Sequence, residues 1–147
     1  KLNMFLKNVS ENLKTGGKFI GTCLDGQKVF ELLKNKDSVS KHKNSNELLW
    51  KIVKKYDNNE FLNNDDCLNC PIDVYVNSIG KTTTEWLVNI DYLETKCLDH
   101  GLKLVRKKSF EDVYKDNSKM NYGDASKMTA DLKKYSFLNM SFIFEKS

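Results

Sequence analysis

A chain of 147 residues with 39% hydrophobic content, including eight Phe and six Tyr, holds enough apolar material for one domain with a real core, which excludes wholesale disorder. The formal net charge of +4 is mild, and it permits a polyanionic partner without arguing for one, because most lysines are offset by Asp and Glu. No apolar run approaches the roughly 18 residues of a membrane span, and no signal peptide is visible, although a first residue of Lys1 and not Met leads us to expect a true N-terminus upstream.

Leu2, Phe5, Leu6, Val9 and Leu13 recur at helical spacing and predict an amphipathic first helix. Gly16-Gly17 ends it, since glycine adopts the left-handed conformation freely. No G-x-G-x-x-G pattern follows, so the pair reads as a turn and not as a phosphate cradle. Residues 18–22, centred on Phe19-Ile20, are expected to form a strand buried on both faces, as parallel strands are. Asp25-Gly26 opens a second helix with Val29, Phe30, Leu32 and Leu33 on its inner side. Residues 35–46 (NKDSVSKHKNSN) read as an exposed basic loop. Residues 47–56 suit a helix or a strand equally, and 57–66 form a second polar loop. From 72 to 79, Ile72, Val74 and Val76 alternate with Asp73, Tyr75 and Asn77, the pattern of a half-buried strand.

Residues 84–110, TEWLVNIDYLETKCLDHGLKLVRKKSF, organise the remainder. Glu85 precedes the apolar run Trp86-Leu87-Val88, and Asn89 suits a helix N-cap because its side-chain oxygen can accept from a free N–H at the helix start. Ile90, Leu93, Cys97 and Leu98 make one apolar stripe, and Gly101 stops the helix. Leu102, Leu104, Val105 and Phe110 predict a strand that contains Arg106-Lys107-Lys108. An acid at a strand-to-helix junction is where open α/β sheets hold ligands; the plainer alternative for Glu85 is an exposed strand-end carboxylate. Residues 111–114 finish a helical turn, 115–135 are polar with a short helix at 128–132, and 138–144 close the chain as a strand. That last strand is expected to pair antiparallel with 102–110. Of the four cysteines, only Cys67 and Cys70 have metal-like spacing, and a structural zinc site needs a second ligand pair that His42 and His100 do not supply. Cys23 and Cys97 lie on apolar faces as packing residues, and reduced thiols in an intracellular protein are the expectation.

Three stretches in order, NLKTGGKFIGTCLD (12–25), TEWLV followed by GLKLVRKKSF, and SFIFEK (141–146), resemble the C-terminal half of the mRNA cap guanine-N7 methyltransferases. The resemblance implies an α/β fold, with residues 1–147 as the C-terminal part of one class I (Rossmann-like) S-adenosylmethionine-dependent methyltransferase domain. The region 47–88 falls where the family inserts an antiparallel sheet. The acidic, Gly-rich cofactor loop and a His-Tyr segment of the family are absent, so the cofactor-binding half is expected upstream, with S-adenosylmethionine as methyl donor and its contacts outside this chain. By the same resemblance Glu85 binds the cap guanine, Leu24 stands where a Pro packs on the cap, and Asn139 stands where a Tyr contacts it. Leu retains apolar contact, but Asn cannot stack on a base. These departures imply the branch found in capping enzymes of large cytoplasmic DNA viruses. No general-base residue and no metal are implied. The implied partners are 5′-capped RNA and other capping-enzyme domains or a stimulatory subunit, with no membrane. The implied location is cytoplasmic (viral factory or virion) if viral, and nuclear if cellular. The alternative is a non-catalytic, methyltransferase-like stimulatory subunit of a capping enzyme.

Overall fold

In a computed structural model that describes residues 1–117 and 127–147, the chain forms two antiparallel sheets packed against helices. The middle of the polar stretch expected at 115–135 lies outside the described residues. Helix α1 (Leu2–Glu11) leads into β1 (Lys18–Leu24), and the turn between them uses Gly16 at φ +79°. Strand β1 pairs antiparallel with the last strand, β7 (Asn139–Lys146), which pairs on its other side with β6 (Leu102–Ser109), so the order is β1-β7-β6. The expected pairing of the two C-terminal strands is therefore present. Helix α1 and helix α3 (Ile90–Leu98) pack on this sheet through Leu6, Leu93, Cys97, Leu102, Phe142 and Phe144. Lys146 Nζ donates to Ser10 Oγ at 2.6 Å and to the His100 carbonyl at 3.2 Å, tying α1, the end of α3 and β7 together.

Two expectations for these strands are corrected. Strand β1 is not buried on both faces: Phe19, Gly21 and Cys23 face the helices, while Ile20 on the other face is 66% exposed. The reason is its antiparallel pairing with β7: Ile20 and Thr22 fall on the face away from α1 and α3 and stay exposed there, while Leu24 in the same row is buried beneath α2. Phe110 does not belong to β6. Ser109 Oγ accepts from the Asp112 N–H at 3.0 Å and starts helix α4 (Phe110–Asp116), a cap that outweighs the local apolar pattern.

The second sheet has the order β2-β3-β4-β5, from β2 (Ser38–His42), β3 (Leu48–Lys54), β4 (Pro71–Val76) and β5 (Thr82–Trp86). Residues 35–46 are thus not wholly a loop. Ser38–His42 pairs with β3, with Leu49 as the extra residue of a bulge between the Lys41–Trp50 and His42–Leu48 pairs. Only Val39 is apolar there, so this strand is fixed by its neighbour and not by its own pattern. Trp50, Ile52, Ile72 and Val74 on one face of the sheet pack on Val29, Phe30 and Leu33 of helix α2 (Gly26–Leu32) and its end. Helix α5 (Ala130–Ser136) adds Leu132 and Tyr135 to the same core. The two sheets meet where Asp25 and Val88 form a parallel bridge and the Gly26 N–H donates to the Val88 carbonyl at 3.1 Å. A Cβ on Gly26 would lie 2.4 Å from that carbonyl oxygen, so glycine is required. No helix among the described residues is long and apolar enough to cross a membrane.

Candidate substrate-binding site

Strand β5 presents Glu85 at its C-terminal end. Glu85 is the register partner of the fully buried Ile72, so it belongs to the core-facing side of the second sheet, but at the sheet's open edge, where it stays exposed. The Thr83 hydroxyl donates to its Oε1 at 3.4 Å. The backbone after it is anchored by the Leu87 N–H donating to the Cys70 carbonyl at 3.0 Å and by the Val88–Asp25 bridge. Asn89 caps α3, accepting from the Asp91 and Tyr92 N–H groups at 3.1 Å. The backbone that carries the carboxylate is thus tied by the β4–β5 ladder before it and by these contacts after it.

The Glu85 charge is felt by Tyr135 of α5. Burial first, and the Glu85 carboxylate second, push the Tyr135 phenol above its ordinary value. The Tyr135 ring sits 5.8 Å from that of Trp50, whose Nε1–H donates to the Asp131 carbonyl at 2.9 Å. The other two residues singled out from sequence flank the end of this helix. Leu24 and Asn139 are direct register partners across β1 and β7. Leu24 is buried in the core beneath α2, and the Asn139 amide donates to the carbonyls of Tyr135 and Ser136 at 3.2 Å, closing the C-terminus of α5. Of the three, only Glu85 offers an exposed functional group, which accepts one long hydrogen bond from Thr83. Tyr135, one helical turn before Asn139, escaped the sequence reading. Its signal was an aromatic four residues upstream of the position where one was missing.

A cavity of about 390 Å³ opens on the far side of the β5–α3 junction, lined by Phe5, Phe19, Gly21, Trp86, Leu93 and Phe142 among others. It is apolar. Its polar groups are largely committed: the Asn89 amide donates to the Leu62 carbonyl at 3.2 Å, and the Tyr92 hydroxyl donates to Asp65. A Cβ on Gly21 would come 2.3 Å from the Phe142 ring, so the glycine lets that ring lie across β1. Cys67 and Cys70 are buried; burial first, then the neighbouring Cys70 and the Asp65 and Asp66 charges, push the Cys67 thiol to about 11, and burial raises that of Cys70. Burial likewise takes Cys23 to about 11 and Cys97 to about 12, and all four thiols are free. Among the described residues no group of three or more His, Cys, Asp or Glu is arranged to hold a metal.

Comparison with known proteins places this geometry in context. A family profile described as mRNA (guanine-N(7))-methyltransferase domain matches residues 1–140. Among solved structures, an S-adenosylmethionine-dependent methyltransferase from Clostridium acetobutylicum is similar over 99% of this chain and 50% of its own, with 14% identity and a TM-score of 0.50. The chain thus spans about half the length of that structure. At this identity the likeness concerns the fold, an α/β class I methyltransferase fold with antiparallel sheets. No curated protein matches the chain.

Proposed function

The chain belongs to the mRNA (guanine-N(7))-methyltransferase domain family, and on that footing we propose that it serves the transfer of a methyl group from S-adenosylmethionine to N7 of the 5′ cap guanine. The observation that carries the reading to this chain's own residues is Glu85, an exposed carboxylate at the end of an edge strand whose ladder pairs it with Ile72. Guanine presents N1–H and N2–H₂ as adjacent donors, and the two oxygens of one carboxylate can accept from both. Guanine N7 already carries a lone pair, so the transfer asks for no general base. What the protein must supply is position and a favourable field. Glu85 holds the Watson–Crick edge, which leaves the N7 lone pair on the opposite side of the base free to take up the methyl group.

S-adenosylmethionine, the methyl donor that family and fold imply, supplies the sulfonium methyl group when bound. The described residues do not fit as its site: the 390 Å³ cavity is apolar, and the Asn89 amide and Tyr92 hydroxyl at its rim are already spent. We therefore assign the cofactor to an upstream half of the same methyltransferase domain and derive no step through it. Leu24 and Asn139 remain our candidates beside the cap, acting from beneath the site: Leu24 by packing under α2 and Asn139 by holding the end of α5. Their identities also favour the branch found in capping enzymes of large cytoplasmic DNA viruses. There the working location is a cytoplasmic factory or the virion, and the partners are capped RNA and neighbouring capping domains.

In the protein that carries this chain, Glu85→Ala is expected to cripple methylation of capped RNA and leave cofactor affinity nearly intact. Losing a bidentate base contact costs about 1–3 kcal/mol of recognition, and stranded donors add to it. At roughly 1.4 kcal/mol per tenfold, kcat/KM should fall by about ten- to several-hundredfold. Glu85→Gln should also lose activity, because its NH₂ would face one of the guanine donors. Near-normal kcat/KM for both variants would make Glu85 a strand-end carboxylate only. The chain would then be better read as a stimulatory subunit, an alternative favoured by the buried Leu24 and the committed Asn139 amide.

A further inference from the structure

The face of the second sheet that turns away from the core carries a row of hydrogen-bond donors. Ser40, Lys51, Tyr75 and Thr82 are consecutive register partners across β2, β3, β4 and β5. Their side chains alternate with Val39, Ile52, Val74 and Thr83, whose row includes the buried core residues, so the donor row lies on the opposite face. At the usual interstrand spacing the row spans about 14 Å. Among the described residues, none of these four side chains has a hydrogen-bond or ion-pair partner. The neighbouring row holds Asp73, and its charge is already answered by the Thr84 hydroxyl at 2.7 Å and Lys55 Nζ at 3.3 Å. Further along β5 the same face shows Trp86, which pairs with Pro71 and is 59% exposed.

Residues 34–55, which contain β2 and β3, hold seven lysines against two acids, a surplus of five in a chain whose net charge is +4. The rest of the chain is close to neutral. Lys34, Lys43 and Lys55 are ion-paired with Glu31, Glu47 and Asp73, and Lys41 and Lys54 fall in the core-facing rows of Trp50 and Ile72, so among the described residues Lys51 is the unpaired ammonium of the donor row. Read linearly, the lysines look scattered; the sheet sets Lys51 beside Tyr75. A sheet face that combines a half-buried ammonium, hydroxyl donors, the half-buried Tyr75 ring and the exposed Trp86 ring has the chemistry of a single-stranded nucleic-acid platform, where bases stack on rings and phosphates meet cations.

We propose that this face binds single-stranded RNA, with Lys51, Ser40 and Thr82 on the phosphates and riboses and with Tyr75 and Trp86 under the bases. It is a second surface, on the other side of the sheet from Glu85, and it goes beyond cap recognition: it holds the transcript whatever its 5′ end. With the cap reading in force, the transcript would cross the β5 edge between the two faces.

The test uses the whole chain and an uncapped, fluorescein-labelled 12-nucleotide RNA, followed by anisotropy at several salt concentrations. Tyr75→Ala should weaken binding about five- to a hundredfold. Lys51→Ala should lower the slope of log affinity against log salt by about 0.7, the value for one phosphate on a single strand. In the unaltered chain, 4-thiouridine RNA should photocrosslink to Tyr75 or Trp86, a readout that does not depend on any variant folding. Changes under twofold in both variants, or crosslinks confined to other elements, overturn the proposal. So does tighter, Lys51-dependent binding to phosphatidylserine vesicles, which would make the face a membrane contact. Because the probe has no cap, its failure leaves the cap reading standing, and failure of the Glu85 test leaves this one standing.

Discussion

Glu85 and Tyr135 come from elements separated by fifty residues of sequence, and their proximity can be tested without any substrate. The Tyr135 phenol titrates above its ordinary value because it is buried and because ionising it would place a second negative charge near Glu85. In Glu85→Gln the second cause disappears and the first stays. The Tyr135 pKa, followed by NMR of ¹³Cζ-labelled tyrosine, should therefore fall but remain above that of a free tyrosine. An unchanged titration would mean that the carboxylate points away from the helix. Glu85 itself was legible from sequence, since an acid beside an apolar run at a strand end is a local pattern. The fate of Asn139 was not: its amide closes the α5 C-terminus through the carbonyls of Tyr135 and Ser136, and nothing short of the helix reveals that. The Leu24 burial under α2 is likewise a product of packing between distant segments.

Among the elements, those with strong periodicity were readable. The α1 stripe, the Asn89 cap and Gly101 stop of α3, and the alternation in β4 each depend on residues within a few positions of one another. Strand β2 depends on its partner, and α4 depends on a serine cap hidden behind an apolar run. Two carboxylates tie neighbouring segments of the second sheet together. Glu47 accepts from Lys43 Nζ and from the Asn77 amide, both at 2.7 Å, and Asp73 from the Thr84 hydroxyl and Lys55. Lys43 first and Asn77 next hold the Glu47 carboxyl below its ordinary value; for Asp73 the Thr84 hydroxyl comes first and Lys55 after desolvation's opposing effect. A carboxyl whose folded value is depressed contributes stability that is complete above the unfolded-chain pKa and disappears as pH falls through the folded one. The melting temperature should thus drop as pH falls below about 4. Relative to the parent chain, the double variant Glu47→Gln, Asp73→Asn should melt lower near neutrality, and the gap should close in strong acid. A gap that persists at low pH would show that the two side chains matter through packing and not through charge.

At the level of the whole molecule, the three-stranded sheet exposes an edge. The outward edge of β1 has no strand partner among the described residues, and Met4, Phe5 and Ile20 around it are 67%, 51% and 66% exposed. Unpaired strand edges beside apolar side chains template association. The chain on its own should therefore self-associate at micromolar concentrations by sedimentation velocity. Ile20→Lys, which places a charge on that edge, should restore a monomer without lowering the melting temperature. Monomeric behaviour of the unaltered chain would show that the edge is shielded. The seam between the sheets has a different consequence. Asp25 and Val88 are bridge partners, so the segment between them leaves and rejoins the rest of the chain at neighbouring points. The four-stranded sheet is in this sense a cassette. A splice from β1 to α3 would need to span only about one interstrand spacing, and the β1-β7-β6 sheet with α1 and α3 would keep its own apolar cluster of Leu6, Leu93, Cys97, Leu102, Phe142 and Phe144. Exchange of that cassette between relatives could change what is recognised while leaving the supporting sheet untouched.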